Sequence, residues 1–160
     1  MNKALKSTTR VLAICVAVLI FATPLLAQES DASKEAEAEM EAAFGTVPVM
    51  FEVYPDHLRA NAWKWFAATL SPDAPIPTKY NELMSLAVAS QIPCDYCVYA
   101  HTTMARMFGA TDAEIQAAVA AAAVTRHWST VLNGAEVPLD EFKKEWDEIL
   151  AHLKKQSEAK

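Results

Sequence analysis

The chain has 160 residues and a formal net charge of −6, with 20 acidic against 14 basic side chains, a balance that disfavours a nucleic-acid partner. Hydrophobic residues make up 52% and glycine occupies only three positions. That suits one helical domain with a core of its own and is too short for two.

The amino terminus is read first because it sets the redox compartment. Lys3, Lys6 and Arg10 lead into an apolar run over residues 11–20, followed by Pro24, Leu25, Leu26 and Ala27. A basic head, a short apolar core and a small residue at the boundary are the layout of a secretory signal, so residues 1–27 are expected to be removed. A retained anchor is the rival reading, but spanning takes about twenty apolar residues, and Thr23 and Pro24 interrupt this run before that. The mature protein is therefore expected to be periplasmic or secreted, without stable membrane insertion. Cleavage removes three positive charges and no negative ones, so the mature surface becomes more acidic. It also removes Cys15, leaving Cys94 and Cys97 as the mature cysteines.

Residues 28–46 form an acidic, Ala/Glu-rich segment, helical or frayed over 30–44, before "GTVPVMFEVYP" breaks the pattern. Residues 47–156 are expected to form the helical domain. Residues 56–70 predict a helix, with Trp63, Trp65 and Phe66 anchoring it to the core or to another subunit. The three prolines of "SPDAPIP" cannot continue a helix and predict a loop. Residues 78–92 predict the next helix, stopped by Pro93, and Cys94 opens another that runs to Phe108 and ends at Gly109. Thr111 and Glu114 read as the capping box of a long Ala-rich helix suited to close packing in the core or between subunits. Asn133, Gly134 and Pro138 separate it from a last amphipathic helix over residues 139–155, with Phe142, Trp146, Ile149 and Leu153 on one stripe. The expectation is an all-α domain of about six helices.

The chemistry concentrates in "CDYCVYAH", residues 94–101. Positions three and four apart share a helix face, which places Cys94, Cys97 and His101 in one row with the cysteines within disulfide reach. A disulfide closing so short a loop adds little stability, so its expected value is chemical. The start of the helix favours thiolate near Cys94, and His101, one turn beyond Cys97, can take a proton from it. Glu82 completes the set. If the helices on either side of Pro93 fold back on each other, Glu82 lies as far before the turn as His101 to Met104 lie after it. A carboxylate in that apolar stretch can hold the imidazole tautomer. A zinc set of Cys94, Cys97, His101 and Glu82 is the weaker reading, because structural zinc sites usually draw ligands from two separate loops. Tyr96 and Tyr99 read as packing residues, and His57, His127 and His152 as surface or interface histidines.

This pattern resembles a known family. Glu82, eleven intervening residues, then Cys-x-x-Cys-x-x-x-His and "ARMFGATDAEIQAA" look like the AhpD-like alkylhydroperoxidase branch of the carboxymuconolactone decarboxylase family. The resemblance implies an AhpD-like helical fold, commonly assembled as trimers or hexamers. It also implies that Cys94 and Cys97 cycle between dithiol and disulfide while reducing peroxides, with Glu82 and His101 relaying protons. The better-known peroxidases of the group often carry a histidine between the cysteines, where this chain has Tyr96. The decarboxylase branch lacks the cysteine pair.

Together these readings predict an exported cysteine-based peroxidase, a homo-oligomer using no cofactor and no metal, re-reduced by a thioredoxin-like or other thiol donor. The alternatives are a thiol–disulfide oxidoreductase with another substrate, and a non-enzymatic helical protein whose Cys-x-x-Cys pair is a structural disulfide or metal half-site.

Overall fold

The computed structural model describes residues 31–92 and 94–159. The expected signal peptide over residues 1–27, Cys15 within it, and Pro93 lie outside the described residues. These residues are helical wherever they are regular, with seven helices where about six were expected. They divide into two compact units, one ending at Ala74 and one beginning at Pro75.

In the first unit, α1 covers residues 31–44. Ala36 and Met40 lie one turn apart on one side of it, and both are buried with Phe51, Ala60 and Trp63. Gly45, at φ +78°, turns the chain out of α1 in the left-handed region that glycine enters without strain. Next comes α2, Val49–Glu52, a single turn that the sequence reading took for an irregular break. Four residues are too few for a periodic signal, and the turn forms because Phe51 is drawn into the core, edge-on to Trp63 at 5.8 Å and to Phe66 at 5.6 Å. Arg59 fixes it in place, donating from Nε to the Phe51 carbonyl at 2.9 Å and pairing with Glu37 and Asp56. α3 spans Asp56–Leu70, the bounds its sequence predicts. Trp63 and Phe66 do anchor it, whereas Trp65 is 78% exposed and does not join the core cluster of the described residues.

The second unit is built on α4 (Thr78–Ala89), α5 (Asp95–Met107) and α6 (Asp112–Gly134). α4 packs against both α5 and α6. Leu83, Ala105 and Ala110 are buried between them with Ile115 and Ala118 against them, and Leu86 and Ala89 are buried further along α4. α4 ends at Ala89 rather than at Ile92. Its last turn tightens through bonds from Gln91 N–H to the Val88 carbonyl and Ile92 N–H to the Ala89 carbonyl, while the Ser90 hydroxyl donates to the Ala87 carbonyl. Gly109, at φ +85°, closes α5, and the Ala110 N–H returns to the Ala105 carbonyl at 2.9 Å.

α6 opens with the expected capping box. The Thr111 hydroxyl accepts from the Glu114 N–H at 3.2 Å, and a Glu114 carboxylate oxygen accepts from the Thr111 N–H at 2.7 Å. Lys79 of α4 meets the other Glu114 oxygen at 2.6 Å, and this bond, the largest single cause, followed by the two cap bonds from Thr111, lowers the Glu114 pKa from 4.5 to about 2. α6 continues through Asn133 and Gly134, where the sequence suggested a break. The Asn133 amide donates to the Ser129 carbonyl at 2.7 Å, satisfying itself along the helix, and the chain turns later, at Glu136 with φ +53°. Most of the Ala-rich face of α6 is exposed, only Ala122 being buried. α7, Leu139–Glu158, follows, and no described helix is long and apolar enough to cross a membrane.

Candidate active site

The site sits where α4 gives way to α5. The Cys94 N–H donates to the Ile92 carbonyl at 2.7 Å, a tight bond that turns the backbone before the new helix begins. Cys94 is the N-cap of α5 rather than its first residue, and its Sγ accepts from the Cys97 N–H at 3.2 Å. A sulfur thus takes the place usually held by a serine, threonine or aspartate oxygen. The two cysteines are joined in a disulfide, with Cα atoms 5.3 Å apart. Both are half-buried, and the side chains between and beyond them, Tyr96 and Tyr99, are 89% and 74% exposed.

One turn past Cys97, His101 reaches across to α4. Its Nδ1 lies 2.7 Å from Oε2 of Glu82. The Glu82 side chain is only 5% exposed and that of His101 30%, so a carboxylate withdrawn from water faces an imidazole that still reaches the surface. Burying an ionised carboxylate without a partner is costly, which gives His101 a structural role as the partner of Glu82. An ionised carboxylate only accepts, so Nδ1 beside it carries the hydrogen and leaves Nε2 as the ring's free acceptor. The fold-back counted from sequence therefore brings Glu82 of α4 together with His101, one turn of α5 beyond Cys97.

Lys79 was not singled out from sequence. One turn before Glu82 on α4, it ties that helix to the start of α6, and no motif marks it because its partner Glu114 is distant in the chain. His127 is exposed, its ring edge-on to Trp128 at 5.2 Å, and His57 and His152 also lie on the surface. The hollow between α4 and α6, about 470 Å³ and lined in part by Ala87, Gln91, Thr125 and Arg126, opens on the side of α4 turned away from Glu82. No group of three or more His, Cys, Asp or Glu side chains suited to a metal occurs among the described residues.

Residues 55–140 match the sequence profile of the Carboxymuconolactone decarboxylase family, a span that includes Glu82, Cys94, Cys97 and His101. The chain belongs to this family. A solved structure within reach of this carboxymuconolactone decarboxylase family member is that of the alkylhydroperoxidase AhpD core from Rhodospirillum rubrum ATCC 11170. The likeness has a TM-score of 0.60 at 21% identity and covers 69% of this chain and 85% of that one. At that identity the likeness is one of fold. No curated protein matches the chain.

Proposed function

We propose that this family member is an exported cysteine-based peroxidase that cycles Cys94 and Cys97 between dithiol and disulfide. The observation that carries the reading is the half-buried Cys94–Cys97 disulfide at the start of α5, with the Glu82–His101 pair one turn away. Family membership and the shared fold of the alkylhydroperoxidase core support it.

In the reduced protein, His101 Nε2 takes the Cys97 proton. The Cys97 thiolate attacks the terminal oxygen of a hydroperoxide, the O–O bond breaks, and the departing alkoxide takes a proton from the imidazolium to leave as an alcohol. Cys97 is then a sulfenic acid. The Cys94 thiol condenses with it, forming the disulfide and releasing water. Glu82 holds Nδ1–H throughout, so the imidazole keeps one tautomer and one orientation.

Re-reduction consumes two electrons from a dithiol donor, for which a thioredoxin-like protein outside the cytoplasm is the natural class. The Cys97 N–H aimed at Cys94 Sγ stabilises a thiolate there. Cys94 is therefore the better leaving group, and the donor attacks Cys97. The assembly is a homo-oligomer, in keeping with apolar surface left exposed on α6 and α7, Trp128 and Trp146 among it.

Thiol titration tests the reading. Fully reduced mature protein should present two thiols per chain and lose both to one equivalent of cumene hydroperoxide, with the Cys94–Cys97 disulfide recovered by mass spectrometry. Thiols that survive the peroxide but are lost to a small disulfide would move the function to thiol–disulfide exchange with another substrate. Thiols inert to both would leave the bond structural.

A further inference from the structure

α7 begins at the edge of the family match, which ends at residue 140, and no other helix of its unit packs against it. It is nevertheless strongly two-sided. Leu139, Phe142, Trp146, Ile149 and Leu153 recur at alternating spacings of three and four, the a and d positions of a heptad, with Leu150 beside them. Trp146 is 50% exposed and Leu153 53%, and Leu139, Ile149 and Leu150 are similarly open. The Phe142 and Trp146 rings stack at 5.6 Å with 16° between their planes, forming a flat apolar ledge midway along the helix. An amphipathic helix draws most of its stability from what covers its apolar side, and within this unit nothing does.

Charge selects the occupant. The first half of α7 carries Asp140, Glu141, Glu145, Asp147 and Glu148 against Lys143 and Lys144, and the second half carries His152, Lys154 and Lys155 against Glu158. A helix that lies on a membrane needs a cationic polar face, and this one is net acidic. A second copy of α7 laid antiparallel instead sets the acidic half of each on the basic half of the other.

We propose that α7 is a self-association helix that pairs antiparallel with α7 of a second copy about a two-fold axis. With a and d positions in facing layers, Phe142 meets the partner's Leu153 and Trp146 meets the partner's Ile149. Glu145 then flanks the partner's His152. The two-fold axis repeats each of these contacts, so one ledge closes on itself and leaves no open end. The same contact joins two single chains or, where each copy already belongs to a ring, two rings.

Light scattering on the purified protein, with a cross-linking arm, tests this independently of any redox activity. Wild type should contain an even number of chains, and the Trp146→Glu, Ile149→Glu double variant should halve the mass. Any loss of helical circular dichroism should be limited to the share of α7's 20 residues, since both side chains are exposed and no other helix of the unit leans on them. An equal mixture of Phe142→Cys and Leu153→Cys proteins should oxidise to the mixed cross-linked pair in preference to either homodimer, because like positions lie far apart in this register. The proposal is overturned by an unchanged mass in the double variant, or by homodimers dominating the cross-link. A single-chain wild type that floats with phosphatidylcholine vesicles overturns it equally.

Discussion

Glu82 Oε2 lies 2.7 Å from His101 Nδ1, joining the middle of α4 to the middle of α5 beside a disulfide. The carboxylate is nearly sealed from water and the imidazole is not, so the ring is held from the inside and keeps an edge open to the surface. Glu82→Gln keeps the shape and one hydrogen-bonding group but removes the carboxylate that holds Nδ1–H of His101 in place. Oxidation of the reduced protein by cumene hydroperoxide should slow by about tenfold or more while the circular dichroism is retained. A rate equal to wild type would remove Glu82 from the mechanism.

Much of this site is legible in sequence because it depends on local rules. The helix periods on either side of Pro93 are clear, so counting residues away from the turn is enough to pair Glu82 with His101. Thr111 with Glu114, and Gly109, act through backbone geometry that the residue types themselves dictate. The parts that escaped depend on distant contacts. α2 exists because Phe51 has Trp63 and Phe66 to pack against, and α6 passes through Gly134 because Asn133 finds the Ser129 carbonyl. Lys79 gains its role only when α4 and α6 are side by side. That Cys94 caps α5 was hidden by a smaller margin, one residue in a helix boundary.

The Lys79–Glu114 link predicts a specific acid response. The folded-state pKa of Glu114 is lowered from 4.5 to about 2, chiefly by Lys79 and then by the Thr111 cap. A depressed carboxylate pKa contributes stability that is fully present above 4.5 and is lost as the pH falls through about 2. The melting-temperature advantage of wild type over Glu114→Gln should therefore shrink steadily across that window. An advantage that stays constant as the solution is acidified would show that the ion pair does not couple to folding.

Export predicts a mature chain that begins near Gln28. Intact mass of the protein recovered from its native host should lack residues 1–27, and with them Lys3, Lys6, Arg10 and Cys15. A mass that still includes those residues would mean the apolar segment is kept as an anchor.

The redox and metal readings of the same residues separate on metal content. Protein purified under reducing conditions without chelator should hold no stoichiometric zinc, since Cys94 and Cys97 lie on one turn with Glu82 already committed to His101. One zinc per chain that disappears with Cys94→Ser would instead make the pair a metal clip.

Which cysteine attacks peroxide is decided by weighing two effects on opposite ends of one turn. Cys94 has the stronger claim to thiolate stabilisation, because it caps α5 and its sulfur receives the Cys97 N–H at 3.2 Å. At a partly exposed helix end that preference is worth at most about 1 kcal/mol, and a more stable thiolate is also a weaker nucleophile. Cys97 lies one turn from His101, and a positioned base contributes about a hundredfold or more in rate. On these magnitudes the base outweighs the cap, and the proposed mechanism has Cys97 attack and Cys94 resolve. Cys94→Ser should consume one equivalent of peroxide and leave a sulfenic acid on Cys97 that dimedone traps, whereas Cys97→Ser should lose the fast phase. Stopped-flow peroxide consumption on the two variants reads this directly. A fast phase retained by Cys97→Ser and lost from Cys94→Ser would reverse the roles and leave His101 serving the resolving step.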